Sequence, residues 1–333
     1  MMRSSRFAFL GLMAVSFASS VMTLGAQEDA PPAVEPVDHT GWLVDFDEAK
    51  TTADTEEKDI LIEFTGSDWC PPCKALYANV ISTDAFKEQA PEKFTLLLLD
   101  NPRDKSHQSE AEQAQYQRMA AEYGIEGVPT IMLCDAQGRP YAKMVGYGGT
   151  PVDEYIANLT TMTEKRVRRD DYLAQAEEAT GVERAQLLGE ALSEIDPLLC
   201  ATVYRDIVDE IIELDPANDA GLKEKFTSIV NSVEIAKALR SIQMEARGGD
   251  PVAAIAKIDE LIETMNPAPA QLQEILFAKG SMLFATDKAA SKEALIAAQA
   301  VVPDSQIAKQ IDQIMARFFA DPAPGDEDGG QQN

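Results

Sequence analysis

Two cysteines three positions apart, Cys70 and Cys73, enclose two prolines in GSDWCPPCKAL, behind a tryptophan and ahead of an apolar run with helical spacing. Three chemistries use such a pair: thiol-disulfide exchange, half of a metal site, or a local structural disulfide. A zinc site needs four ligands, and the remaining candidates Cys134, Cys200, His39 and His107 stand at no paired spacing. A disulfide closing so short a loop constrains the unfolded chain very little. Redox exchange accounts for more of the residues. A strand ending at Thr65, a short turn and a helix starting at Pro71 place Cys70 at a helix N-terminus, where unpaired N–H groups and the helix dipole favour a thiolate. Pro71 and Pro72 have no N–H, so amide donors toward the Cys70 sulfur come from Cys73 and Lys74. Helix position should expose Cys70 as the nucleophile and bury Cys73, one turn in, as the thiol that resolves a mixed disulfide.

The elements that must position this pair follow from the apolar pattern. From Gly41 to about Thr163, strand-like and helical runs alternate: WLVDF, DEAKTTADTEEK, ILIEFT, a helix from Pro71 to about Val80, FTLLLLD, SEAEQAQYQRMAAEYG, TIMLCD, YAKMVGY after the turn AQGR, and PVDEYIANLTTM. Such alternation predicts a central sheet with helices on both faces. Glu63 interrupts ILIEFT, a run otherwise apolar enough to be buried on both faces, and a buried carboxyl is costly without a use or a partner. It either has a functional use or reaches an edge or a lysine such as Lys58 or Lys93. Cys134 and Cys200 read as small core residues. His39 and His107 lie in polar segments and suggest no catalytic role.

The stretch ILIEFTGSDWCPPCKAL is similar to the strand, Trp-Cys-x-x-Cys and following Lys of the thioredoxin superfamily. GIEGVPTIMLCDAQGRP is similar to that family's second signature, where a cis-proline precedes a strand. The resemblance covers about residues 42–162, and FTGSDWC looks like the form of exported bacterial thioredoxin-like proteins. It implies an α/β thioredoxin fold, a central mixed sheet with helices on both faces, over residues 41–163. It further implies that Cys70 and Cys73 are the redox pair and Trp69 its flanking tryptophan. Val128 and a cis Pro129 would offer backbone to a substrate segment, with Pro71, Pro72 and Lys74 in support. In the family an acid on this strand exchanges protons with the inner cysteine, which would be the part of Glu63. No metal or cofactor is implied.

Beyond Lys165 the strand signals disappear. Amphipathic segments follow at about 165–179, 182–194, 198–214, 220–246, 252–265, 270–284, 287–300 and 305–319, bounded by Gly or Pro. Pro216 and Pro251 lie 35 residues apart, and Pro267 and Pro303 lie 36 apart, close to the helix-pair period of tetratricopeptide arrays. Residues 164–320 therefore read as an all-helical domain, either weakly tetratricopeptide-like or a plain bundle.

At the N-terminus, Arg3 and Arg6 precede an apolar run from Phe7 to about Phe17 and small residues toward Ala26, the layout of a secretory signal peptide over 1–26. The run is too short to span a membrane. Residues 27–40 read as a flexible acidic lead-in and 321–333 as a disordered tail. Export to the periplasm or beyond makes disulfide chemistry available. A formal net charge of −27 repels phosphate backbones and anionic lipid, which counts against nucleic-acid and membrane partners. The expected protein is an exported thiol-disulfide oxidoreductase that exchanges with protein thiols and disulfides and with an unidentified redox partner. The alternative is an interaction protein whose helical domain binds a protein partner over a thioredoxin scaffold. The chemistry is expected to need only residues 41–163.

Overall fold

The computed structural model describes residues 39–249 and 251–319; the expected signal peptide, nearly all of the lead-in and the tail lie outside them. Strands β1 (Asp59–Thr65), β2 (Phe94–Asp100), β3 (Thr130–Cys134) and β4 (Pro140–Val145) form one mixed sheet in the order β2-β1-β3-β4. β2 runs parallel to β1, β3 antiparallel to β1, and β4 antiparallel to β3. β1 lies inside the sheet and is buried along its whole length, which is why its sequence is a continuous apolar run instead of an alternating one.

Helices cover both faces. Phe64 packs edge-on against Tyr116 of α4 (Glu110–Glu122) and against Tyr123, which also meets Phe46 of α1 (Phe46–Glu56). The opposite face carries α2 (Pro71–Leu76), which continues into a π-helical turn at Tyr77–Ile81, together with α3 (Asp84–Lys93) and α5 (Val152–Glu178). The sequence pattern does not show α3, because Pro91 inside it reads as a breaker; Thr83 starts the helix by accepting the Phe86 amide. Of the expected strand WLVDF only Leu43 pairs with β2, since Asp45 caps α1 and turns the chain helical from Phe46. The β3–β4 turn needs Gly138, whose φ is +83° and where a side chain would collide with the Phe46 ring.

The second half is helical: α6 (Gly181–Ala191), α7 (Pro197–Thr202), α8 (Arg205–Leu214), α9 (Leu222–Gly248), α10 (Pro251–Met265), α11 (Pro269–Leu283), α12 (Lys288–Val301) and α13 (Gln306–Phe318). The expected single segment 198–214 is two helices. Tyr204 leaves helical geometry at φ −102° and ψ 21°, and its hydroxyl donates to the Pro140 carbonyl at 2.9 Å. α5 runs unbroken through residue 163, so no linker separates the sheet from the helices that follow. One buried cluster extends from Phe46 and the strands to Leu188, Leu199, Val208, Phe226 and Val233. Smaller clusters join α9 to α10 and α11, and α11 to α12 and α13.

A buried polar network ties the two halves together at the end of the sheet away from the C-terminus of β1. The Asp135 carboxylate accepts from Arg169 Nη2 at 2.7 Å and from Arg139 Nε at 2.8 Å. Arg169 Nη1 donates to the Tyr204 hydroxyl at 2.6 Å, and Arg166 pairs with Asp59 at 3.0 Å. Arg169 and Asp135 are each 2% exposed, and with Arg169 Nη2 also donating to Asp170 at 2.6 Å the buried charges are held by a network of partners. Among the described residues no helix is long and apolar enough to cross a membrane.

Candidate functional site

Cys70 follows the C-terminal end of β1 and is the N-cap of α2, with extended backbone at φ −92° and ψ 108°. It is joined to Cys73 as a disulfide. With prolines at the next two positions, the first free amide of the helix is that of Cys73, which donates to Cys70 Sγ at 3.3 Å. The Val128 carbonyl oxygen lies 3.4 Å from the same sulfur, and the Val128–Pro129 peptide is cis. The expectation of an exposed Cys70 over a buried Cys73 is not met: both are 2% exposed. Val128 and the α2 amide close over Cys70, so the two sulfurs differ in their position on the helix and not in their access to solvent.

The turn before Cys70 is held by the loop that leaves β2, a contribution the sequence pattern does not reveal. Ser67 donates through both amide and hydroxyl to Asp100. The Asp68 carboxylate accepts the amides of Arg103 and Asp104 at 2.9 and 3.0 Å, while Lys74 Nζ donates to the Asp68 carbonyl at 2.7 Å. Trp69 Nε1 donates to the Asn101 carbonyl at 2.8 Å, and the Arg103 guanidinium lies over the indole. Gly66 lies beneath that ring, and a side chain there would collide with it. Lys74 and Trp69 thus fix the turn that carries Cys70.

Burial raises the Asp68 carboxyl, but the amides of Asp104 and Arg103 outweigh it and hold the group below the ordinary carboxylate range. A carboxyl lowered by folding contributes stability that is complete above its unfolded value near about 4 and is lost as the pH falls through the lower folded value. The stability gap between wild type and Asp68→Asn, measured by thermal unfolding, is therefore expected to be full at pH 6 and to close below about pH 4. A gap that stays constant across this range would remove the charge from the account.

Glu63 is 1% exposed on β1, between Leu98 of β2 and Ile131 of β3. Its side chain is on the face that carries α2 and α5, since neighbouring Phe64 points to the α4 face. It pairs with neither lysine considered from the sequence: Lys58 meets Glu56, and Lys93 donates to Thr160. His39 is the nearest basic side chain, with Nε2 3.7 Å from Glu63 Oε2, too long for a hydrogen bond. Its ring sits at 5.6 Å from Trp42 and 5.4 Å from Tyr77. Glu63 Oε2 and the Tyr155 hydroxyl of α5 are buried without a hydrogen-bond partner among the described residues. Burial, and then the Glu63 charge, push the Tyr155 phenol upward. A lone histidine in a polar segment gave no sign of this pairing.

The family described as "Thioredoxin-like domain" matches residues 46–163, the segment that holds the sheet, the disulfide and the Val128–Pro129 loop. Residues 46–163 are a thioredoxin-like domain. Over 99 residues, 30% of its length, the chain is 31% identical to the disulfide bond reductase DsbH of Chlamydia pneumoniae. Over 196 residues, 57% of the chain, it is 22% identical to the thioredoxin-related protein DsbJ of the same organism. The chain spans 59% and 52% of the lengths of these two relatives. A solved structure described as DsbH oxidoreductase aligns with 40% of this chain and 95% of its own, at 23% identity and a TM-score of 0.35.

Within the thioredoxin-like domain Cys134 is fully buried on β3, and burial holds its thiol well above the ordinary range. Cys200 of α7 is 1% exposed, its thiol pushed up to about 11 by burial. Neither thiol is set up for exchange.

Proposed function

We propose that this chain is an exported thiol-disulfide oxidoreductase that exchanges disulfides with protein substrates through Cys70 and Cys73. The observation that carries the reading is the disulfide at the start of α2, with the Cys73 amide on Cys70 Sγ and the Val128 carbonyl beside it. In the reduced protein that amide stabilises a Cys70 thiolate. The thiolate attacks a substrate disulfide, forming a Cys70–substrate bond and releasing the first substrate sulfur as a thiolate. Cys73 loses its proton, attacks Cys70 Sγ and releases the second substrate thiolate, so two electrons pass from the cysteine pair to the substrate. Glu63, on the face beneath α2, is the carboxylate that takes the Cys73 proton, with His39 Nε2 3.7 Å from its Oε2.

The same steps run in reverse when the partner is a dithiol, and the relative potentials set the direction. The name of the Chlamydia relative, a disulfide bond reductase, supports the same chemistry here. The signal-peptide pattern over residues 1–26 supports a periplasmic or secreted location, where an unidentified redox partner would restore the pair. Together with dithiothreitol, the full chain is expected to accelerate the reduction of insulin. Absence of acceleration alongside retained binding of a protein partner would favour the scaffold alternative.

A further inference from the structure

We infer that a groove between the thioredoxin-like domain and α9 seats apolar side chains of the substrate polypeptide next to the cysteine engaged by Cys70. The inference rests on the exchange reading above and locates the substrate-selecting surface. The groove has a volume of about 650 Å³ and lies between the C-terminal half of α4, residues 124–126, the start of α7, and α9. Its apolar lining includes Ala120, Ile125, Leu198, Val233, Ala236 and Met244. Met244 is 62% exposed, a large apolar side chain left in solvent beside a concave apolar surface.

Continuity with the cysteine site identifies the occupant. The chain that forms one wall runs from Gly124, packed on Leu198, through Glu126 to Val128, whose carbonyl oxygen is 3.4 Å from Cys70 Sγ. Glu126 is two residues from Val128, hence at most about 7 Å along the chain. On the other wall Arg240 Nη2 donates to Glu126 at 2.9 Å. On α9, Ser232 and Val233 share the groove with Leu198 of α7, and Met244 lines it about one turn, some 6 Å, beyond Arg240. Between the groove and Val128 stands Gly127, where an added side chain would meet only open space. A polypeptide disulfide-bonded to Cys70 and lying along Val128 therefore continues past Gly127 into the groove. A small disulfide ends before reaching it.

The test uses the full chain carrying Met244→Glu, Ala236→Glu or both, at exposed positions outside the cysteine site. Rates are compared for a protein disulfide, insulin, and a small aromatic disulfide, dithiobisnitrobenzoate, with sedimentation run in parallel. Expected is a loss of about tenfold or more for insulin in the double variant, the scale of losing an apolar anchor, with the small disulfide reduced as by wild type. Unchanged insulin rates, or equal loss for both disulfides, would overturn the inference. So would a change of oligomeric state with the ratio of the two rates unaltered, which would make the groove a contact between copies. A wild type that reduces neither disulfide would overturn the exchange reading itself and the groove's role with it.

Discussion

Cys73→Ser is expected to accumulate mixed disulfides between Cys70 and substrate, while Cys70→Ser forms none and reduces insulin at the uncatalysed rate. The asymmetry comes from α2. Cys70 is its N-cap, and the Cys73 amide points at its sulfur, so charge on Cys70 is favoured over charge on Cys73. With exposure equal at 2% for both, access to solvent cannot supply the difference. Because Ser retains the backbone, the Cys73→Ser variant keeps the amide donor and should still attack. It lacks the second sulfur and stops at the mixed disulfide. Non-reducing gels after incubation with insulin would read the outcome, and equal trapping by both variants would reject the assignment.

Arg169→Ala is expected to cost about 3 kcal/mol of unfolding free energy, the lower end of the scale for breaking a buried ion pair, because Arg139 still pairs with Asp135. Asp135 is 2% exposed and would retain only Arg139 as a cationic partner, while the Tyr204 hydroxyl would lose the donor that joins α8 to the network. The adjacent Arg168 serves as the control. It pairs with Glu194 in solvent, and Arg168→Ala should cost no more than about 1 kcal/mol. Urea unfolding of the three proteins would separate these values; similar small losses for both variants would show that the network does not join the halves. The network also bears on the expectation that residues 41–163 suffice. A chain ending at Thr163 keeps every residue of the cysteine site but loses Arg166, Arg169, Leu198 and Tyr204, so it should be less stable than Arg169→Ala.

The cysteine pair, its prolines and the strand before it were legible in the sequence because each acts through local chemistry: a missing N–H, an N-cap, a run buried on both faces. The boundaries of most helices beyond residue 165 were legible too, since Gly and Pro punctuate them. What could not be read depends on residues brought together from afar. Asp100, Asn101 and Arg103 look like an ordinary polar loop until β2 places them beside Ser67, Asp68 and Trp69. His39 reaches Glu63 across 24 positions of sequence, and Arg169 reaches Asp135 across 34. Pro91 concealed α3 because it lies inside the helix and lacks the amide that would bond to Lys87, so the pattern reads a break there. The residues near 163 include no Gly or Pro, and one continuous helix spans them.

Whether Cys70 and Cys73 form an exchanging redox couple is read out by equilibrating the full chain across a series of glutathione ratios, trapping free thiols with a mass tag and locating them by peptide mapping. A single two-electron transition is expected, in which Cys70 and Cys73 become tagged together while Cys134 and Cys200 remain untagged in the folded protein at every ratio. A pair that stays oxidised or reduced throughout, or a transition that involves Cys134 or Cys200 instead, would contradict it.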